Sequence, residues 1–297
     1  MIDRKIPARD GLELAATLFD PAAGPSRRVV VVNSATAVPR SFYRRFAVFL
    51  AEHDYSIVTY DYRGIGGSRP ASLRGFQATM RDWGLLDMAG VIDWMHDRYR
   101  PSRLFVVGHS VGGQLMGLLH NAHLVDGMLC TSAQSGYWRI QGGAQKWFVG
   151  AYMYLAFPLL PRLFGYFPWT WFGATEDLPH GVALEWSRWC RSPRYLLEDP
   201  DLPELANFPG FGAPILAYSF EDDDWGTRRA VDQMMSAYSG ARVERRHVSP
   251  GDVGMERIGH FGFYGNGAET LWNQVRNWLD DLSTDGCRRR DPAESRR

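Results

Sequence analysis

The chain has 297 residues, in which 33 Lys and Arg side chains balance 33 Asp and Glu side chains. The formal net charge is therefore zero, so the chain has no overall positive charge that would attract nucleic acid. We expect no nucleic-acid partner. The length allows either two ordinary domains or one larger α/β domain that carries an insertion.

The cysteines and the first residues indicate the compartment. Cys130, Cys190 and Cys287 are far apart and lack CxxC spacing, which argues against a disulfide framework and against a zinc site. The opening segment "MIDRKIPARDG" has no apolar h-region of a secretory signal. The sequence therefore predicts a cytoplasmic protein without a metal or other cofactor, and it leaves the oligomeric state open.

Five short apolar runs predict strands that are buried on both faces of a parallel sheet: "RRVVVVN", "YSIVTYD", "SRLFVVG", "DGMLCTS" and "PILAYSF". Between these runs, residues 82–99 and 268–282 repeat apolar side chains with helical spacing. Strands that alternate with amphipathic helices predict a doubly wound α/β core.

The alternation stops between residues 133 and 208, a segment that contains six of the eleven tryptophans. We expect a helical, aromatic-rich cap there, and a core formed by residues 1–132 and 209–283. The last residues, 284–297, have too little apolar surface to pack and are predicted to be disordered.

The longest apolar run, residues 147–160, has 14 residues. That is shorter than the roughly 20 residues that a membrane-spanning helix needs, so no transmembrane segment is predicted. A buried or substrate-facing helix is expected, with a membrane-surface role for residues 147–172 as the alternative.

The strongest chemical signal is Gly108-His109-Ser110-Val111-Gly112, which follows an apolar strand and precedes a helical pattern. This is the GxSxG pattern in the strand, turn and helix context that it requires. The nucleophile of such a turn sits on a strained backbone with positive φ, and the flanking glycines allow the strand and helix to approach closely. Ser110 is therefore the candidate nucleophile.

A serine hydroxyl needs a base within hydrogen-bond reach and a third group that orients the base. Of the eight histidines, His260 lies in a Gly-flanked loop between the last predicted strand and the final helix. For His109, His120 and His123, packing or exposure to solvent is expected instead of catalysis or metal binding.

Ser110, an acid after "PILAYSF" and His260 follow the chain order of the α/β-hydrolase superfamily, which the sequence resembles over residues 2–283. The segment "YDYRGIGGS" is similar to that family's turn after the fourth strand. The resemblance implies a mostly parallel sheet of about eight strands with a cap inserted after strand six. The segments "NSATAVPRSFYRRFA" and "IGHFGF" resemble a bacterial branch grouped near serine aminopeptidase-like hydrolases.

The resemblance also suggests the acid and the oxyanion donors. Counting nine residues from Pro214 gives Asp223, and a one-residue bulge would give Asp222 instead. Glu221 and Asp224 are then expected to be solvated or to cap local backbone. The oxyanion donors should be the amides of Val111 and Ala35, with the Ser34 hydroxyl or Thr36 as helpers.

The function expected from these residues is hydrolysis of a small apolar or aromatic ester, as in a carboxylesterase, through an acyl-enzyme on Ser110. An aminopeptidase-like amidase, an acyltransferase or a thioesterase would use the same three residues. A non-catalytic binding module on the same fold is the alternative from another class.

Overall fold

The computed structural model describes the backbone of residues 1–288 and the side chains within that range, except Gln145 and residues 285–288. Its main sheet has eight strands in the order β1-β2-β4-β3-β5-β6-β9-β10. Their bounds are β1 Ile2–Pro7, β2 Glu13–Phe19, β3 Arg28–Asn33, β4 Ser56–Tyr60, β5 Arg103–His109, β6 Gly127–Thr131, β9 Ile215–Phe220 and β10 Val243–Val248.

Only the pairs β1–β2 and β2–β4 are antiparallel among the described strands of this sheet. The five apolar runs predicted as strands form β3, β4, β5, β6 and β9, which pair in parallel. The predicted doubly wound, mostly parallel sheet of about eight strands is confirmed.

The described helices are α1 Arg44–Ala51, α2 Met80–Asp82, α3 Ala89–Tyr99, α4 Val111–Gln114, α5 Gln145–Ala151, α6 Phe157–Phe164, α7 His180–Arg191, α8 Arg228–Met235 and α9 Glu269–Arg288. A π-helical turn, Trp83–Met88, joins α2 to α3, and another, Tyr152–Ala156, joins α5 to α6. The second join makes one continuous helix, Lys146–Phe164, which we call the outer helix.

The alternation of side chains along β3 shows how the sheet divides the core. Val29 and Val31 belong to a cluster with α3, α8 and most of the insertion after β6, whereas Val30 and Val32 belong to a cluster with α1 and α9. Both clusters consist of buried residues, so the sheet is covered on both faces, as continuous apolar strands require.

Between β6 and β9 the chain leaves the main sheet and forms an insertion. It contains α5, α6 and α7, together with two short strands, β7 Tyr166–Phe167 and β8 Leu178–Pro179, that pair only with each other among the described strands. This is the segment that the aromatic-rich interval 133–208 predicted to be a cap.

The final helix is longer than the apolar spacing predicted. Helix α9 continues to Arg288, so it includes residues 284–288 of the segment predicted to be disordered. The apolar spacing in 268–282 extends the helix beyond the last packed residue because helix propagation adds one hydrogen bond per residue. Residues 289–297 lie outside the described residues.

Candidate active site

The turn after β5 places Ser110 at a strained backbone position. Ser110 has φ 52° and ψ −117°, and α4 begins at the next residue, Val111. A Cβ atom at position 112 would lie 2.2 Å from the Asn33 carbonyl oxygen, and one at position 108 would lie 2.5 Å from the Gly113 Cα. Only glycine fits at either position, so the close approach expected from the GxSxG pattern exists.

Asp223 is the carboxylate that contacts His260. Its Oδ2 accepts hydrogen bonds from His260 Nδ1 at 2.9 Å and from Ser132 Oγ at 2.7 Å. Its Oδ1 accepts from the amides of Trp225 at 2.9 Å and Gly226 at 2.8 Å. Because an ionised carboxylate can only accept, Nδ1 of His260 carries hydrogen and Nε2 is left to receive a proton.

The same contacts keep Asp223 ionised. Burial alone would raise the pKa of this carboxyl. The charge of His260, its hydrogen bond, and those of Gly226 and Ser132 outweigh burial and lower the pKa to about 2.

Asp222, the alternative acid, has a different role. Its two oxygens accept hydrogen bonds from the Ile258 and Gly259 amides, each at 2.9 Å. Asp222 thereby fixes the backbone immediately before His260, and Asp223 fixes the ring. Successive residues of an extended segment point to opposite sides, which explains why neighbouring carboxylates serve different groups. Glu221 and Asp224 are exposed.

The hydroxyl of Ser110 points to a residue that the sequence analysis missed. Ser110 Oγ donates to Gln134 Oε1 over 3.5 Å, and the described residues include no hydrogen bond between Ser110 and His260. Gln114 Nε2 also donates to Gln134 Oε1, at 3.4 Å. A bond of 3.5 Å is weak, so the hydroxyl is free to turn when substrate arrives. Gln134 follows β6 in an unpatterned loop, where no sequence signal could identify it.

The predicted oxyanion donors differ in whether their amide hydrogen is free to bind an oxyanion. Val111 is the first residue of α4, so its amide has no acceptor within the helix. The Ala35 amide instead donates to the Tyr43 hydroxyl at 2.8 Å and is already paired. Thr36 lies beside it, and its Oγ1 is buried without a hydrogen-bond partner among the described residues.

His109 supports this region from inside the fold. Its Nε2 donates to the His260 carbonyl oxygen at 2.8 Å, and its Nδ1 therefore accepts from the Tyr43 hydroxyl at 2.9 Å. Burial, followed by the nearby charge of His260, lowers the pKa of His109 to about 3, so its ring is neutral. His109 is thus a packed residue, as expected. His123 bonds to the His120 carbonyl oxygen at 3.1 Å.

Ser110 and His260 line one cavity of about 770 Å³. The insertion contributes one wall, from which Trp186 stacks on Trp225 of the loop after β9 with ring centroids 6.4 Å apart. Among the described residues, no Asp, Glu, Lys or Arg lines this cavity. Its lining is formed by Ala35, Thr36, Ala37, Val38, Pro39, Ser41, Phe42, Ser110, Gln134, Trp169, Phe172, Gly173, Ala174, Thr175, Trp186, Trp225, His260 and Phe261.

The sequence matches a family model described as "Alpha/beta hydrolase family" over residues 29–271. The chain belongs to the alpha/beta hydrolase family. The matched region contains the turn of Ser110, Asp222 and Asp223 after β9, and His260. A comparison with curated proteins gave no match.

Solved structures share the alpha/beta hydrolase fold at low sequence identity. An esterase from Pyrococcus furiosus is 17% identical, with 94% of this chain and 92% of that chain covered and a TM-score of 0.61. An esterase from Exiguobacterium antarcticum is 15% identical, with 94% and 100% covered and a TM-score of 0.59. A putative non-heme bromoperoxidase from Mycobacterium tuberculosis is 16% identical, with 91% and 96% covered and a TM-score of 0.57.

The lowered pKa of Asp223 predicts an acid-dependent loss of stability. Its folded pKa of about 2 lies below the ordinary 3.8, so the ionised group stabilises the fold above about pH 4 and this contribution is lost as the pH falls through 2. Between pH 5 and pH 2, the free energy of unfolding should fall by about 2 kcal/mol more in the wild type than in Asp223→Asn.

Urea unfolding at the two pH values measures this difference. Asp224→Asn is the matched control, because Asp224 is exposed and should leave the wild-type fall unchanged. Equal falls in the wild type and Asp223→Asn would contradict the assigned ionisation.

Proposed function

We propose that this chain is a serine hydrolase that cleaves a small apolar or aromatic ester through an acyl-enzyme on Ser110. The proposal rests on one observation. His260 is hydrogen-bonded to Asp223 at 2.9 Å and lines the same cavity as Ser110. A nucleophile, a base and a group that orients the base are the components that acyl transfer needs.

In the proposed reaction, His260 Nε2 takes the hydroxyl proton while Ser110 Oγ attacks the ester carbonyl carbon. The tetrahedral intermediate then loses the alcohol, which receives the proton from His260. Water, deprotonated by the same nitrogen, attacks the acyl carbon and releases the carboxylic acid and free Ser110. Asp223 stays ionised throughout and stabilises the charged His260 ring.

The lining of the cavity supports an ester over an aminopeptidase substrate. The α-ammonium group of a peptide would be desolvated without a carboxylate partner, because no acid lines the cavity among the described residues. Trp169, Phe172 and Trp186 offer an apolar wall to an acyl or aromatic group. The solved structures described as esterases, cited above, agree with this choice. We propose that the insertion acts as the cap of this cavity.

For the oxyanion we propose the Val111 amide and the Thr36 hydroxyl. Ala35, the donor first expected, gives its amide hydrogen to Tyr43. A buried hydroxyl without a partner is costly, and a developing negative charge in the cavity would supply the missing acceptor for Thr36.

A panel of p-nitrophenyl esters and aminoacyl p-nitroanilides tests the reaction class. Esters with apolar acyl groups should be cleaved with kcat/KM about 100-fold or more above the anilides, because the cavity has no counter-charge for an ammonium group. Ser110→Ala should lower kcat by about 10⁶-fold.

Product analysis with added alcohols and with thioesters completes this experiment. If the acyl group is transferred to an added alcohol in preference to water, the protein is an acyltransferase and not a hydrolase. Anilide turnover above ester turnover, or wild-type rates in Ser110→Ala, would contradict the proposal.

The oxyanion assignment predicts a specific pair of variants. Thr36→Val keeps the side-chain shape but removes the donor, so kcat for the best ester should fall by about 100-fold with KM nearly unchanged. Thr36→Ser retains the hydroxyl and should retain most of kcat. A wild-type kcat in Thr36→Val would return the second donor role to the Ala35 amide.

A further inference from the structure

The outer helix is apolar on both of its long faces. Val149, Met153, Phe157 and Pro161 recur every four residues and are buried against the rest of the insertion. The opposite face is exposed to solvent by 50% to 72% at each large side chain, namely Trp147, Phe148, Tyr154, Leu155, Leu159 and Leu163. A helix on a water-facing surface normally presents charged and polar side chains there, so this face lacks a partner.

The exposed face continues to the lining of the cavity. Phe164 contacts Trp171 with ring centroids 5.1 Å apart, and Tyr152 contacts Phe172 at 5.3 Å. Trp171 is 63% exposed, and Phe172 is 46% exposed while it also lines the cavity. The outer helix, Trp171 and Phe172 therefore form one apolar surface, which we call the outer surface, and Phe172 connects it to the cavity lining.

The charged side chains in the segment that forms the outer surface are positive. Residues 127–175 contain Arg139, Lys146 and Arg162 but no Asp or Glu, and the next acids, Glu176 and Asp177, are paired with Arg69. The Arg191 guanidinium lies over the ring of Tyr154, 5.4 Å from its centroid, which brings a further cation to the exposed face. Among the described residues, no carboxylate oxygen lies within 4 Å of the cationic groups of Arg139, Lys146, Arg162 or Arg191.

A groove of about 290 Å³ beside the outer helix adds to this pattern. It is lined by Pro158, Arg162, Gly181, Leu184, Glu185, Ser187, Arg188 and Arg191. The carboxylate of Glu185 in this groove is already paired with Arg81. Its oxygens accept hydrogen bonds from the Arg81 amide at 2.8 Å and from Arg81 Nε at 2.6 Å. The groove can therefore receive an anionic group next to apolar side chains.

We infer that the outer surface docks on a phospholipid bilayer that carries anionic headgroups. Apolar and aromatic side chains would enter the boundary between headgroups and acyl chains, and the surrounding Arg and Lys would contact phosphates. By length and composition alone, the outer helix could also cross a bilayer. Its inner face packs on the rest of the insertion, however, so in this fold it would lie along the membrane plane.

The charge pattern favours a lipid surface over a second copy of the chain. A symmetric dimer through this surface would bring Arg162 and Arg191 of both copies to the same interface, where like charges repel. An anionic bilayer instead complements both the apolar face and the cations. The inference does not depend on the proposed function, since docking needs none of the catalytic residues.

Sedimentation with vesicles tests the docking directly, with pure phosphatidylcholine compared with a mixture that contains phosphatidylglycerol. The full chain should bind the anionic vesicles about tenfold or more tightly than the neutral ones. The double variant Leu159→Glu with Leu163→Glu should reduce binding to anionic vesicles about tenfold or more. Arg162→Glu with Arg191→Glu should remove the preference for anionic vesicles.

Two controls keep the result interpretable. Val48→Glu places one such negative charge on an exposed apolar residue of α1 and should bind as the wild type. The leucine double variant should also keep its wild-type melting temperature and its rate on a soluble ester. Because binding is measured without turnover, Ser110→Ala should bind like the wild type even if the proposed hydrolysis is wrong.

Three results would overturn the inference. The wild type could remain unbound with both kinds of vesicle, or the leucine variant could bind as well as the wild type. Size-exclusion chromatography could also show a dimer of the wild type that the leucine variant dissociates, which would assign the surface to a second copy.

Discussion

The left-handed backbone of Ser110 is the constraint on which the rest of the site depends. A non-glycine residue in this region costs on the order of 1–3 kcal/mol, and it persists only where the surroundings impose it. Here the surroundings are two backbone approaches too close for any side chain, at Gly108 and at Gly112. The turn thereby directs the Ser110 side chain into the cavity, the Val111 amide to the start of α4 and the His109 ring into the core.

A second set of contacts connects this turn to the loops around it. The buried chain of hydrogen bonds from Ala35 through Tyr43 and His109 to the His260 carbonyl oxygen links the loops after β3, β5 and β10. Such a network is rigid when every member is satisfied, and here only the neutral form of His109 satisfies it. The position of His260 is thus set from two sides, by this network and by the adjacent carboxylates of Asp222 and Asp223.

Local patterns in the sequence predicted much of this structure. The apolar runs predicted the parallel strands because strands buried on both faces need no polar residue, and GHSVG predicted the turn because only glycine tolerates those approaches. The resemblance to the α/β-hydrolase superfamily, with its count of nine residues from Pro214, pointed to Asp223, the carboxylate that contacts His260. Asp222, the alternative acid, accepts hydrogen bonds from the backbone amides of Ile258 and Gly259 instead.

Features that depend on contacts between distant segments of the chain could not be predicted from local sequence patterns. Nothing in the local sequence showed that Tyr43 would occupy the Ala35 amide or that Gln134 would reach Ser110. The outer helix was detectable as an apolar run, but a run that is apolar all round does not reveal which face is covered. The extension of α9 to Arg288 was missed because its last residues are polar.

The central claim is that Asp223, and not its neighbour, activates Ser110 through His260. The most direct measurement is the rate of covalent labelling by a fluorophosphonate, followed by intact mass and by mapping of the modified residue. The account predicts one label per chain on Ser110, a rate lower by about 100-fold or more in Asp223→Asn, and a rate within about tenfold of wild type in Asp222→Asn. Labelling of Asp223→Asn at the wild-type rate, or no labelling of the wild type, would contradict it.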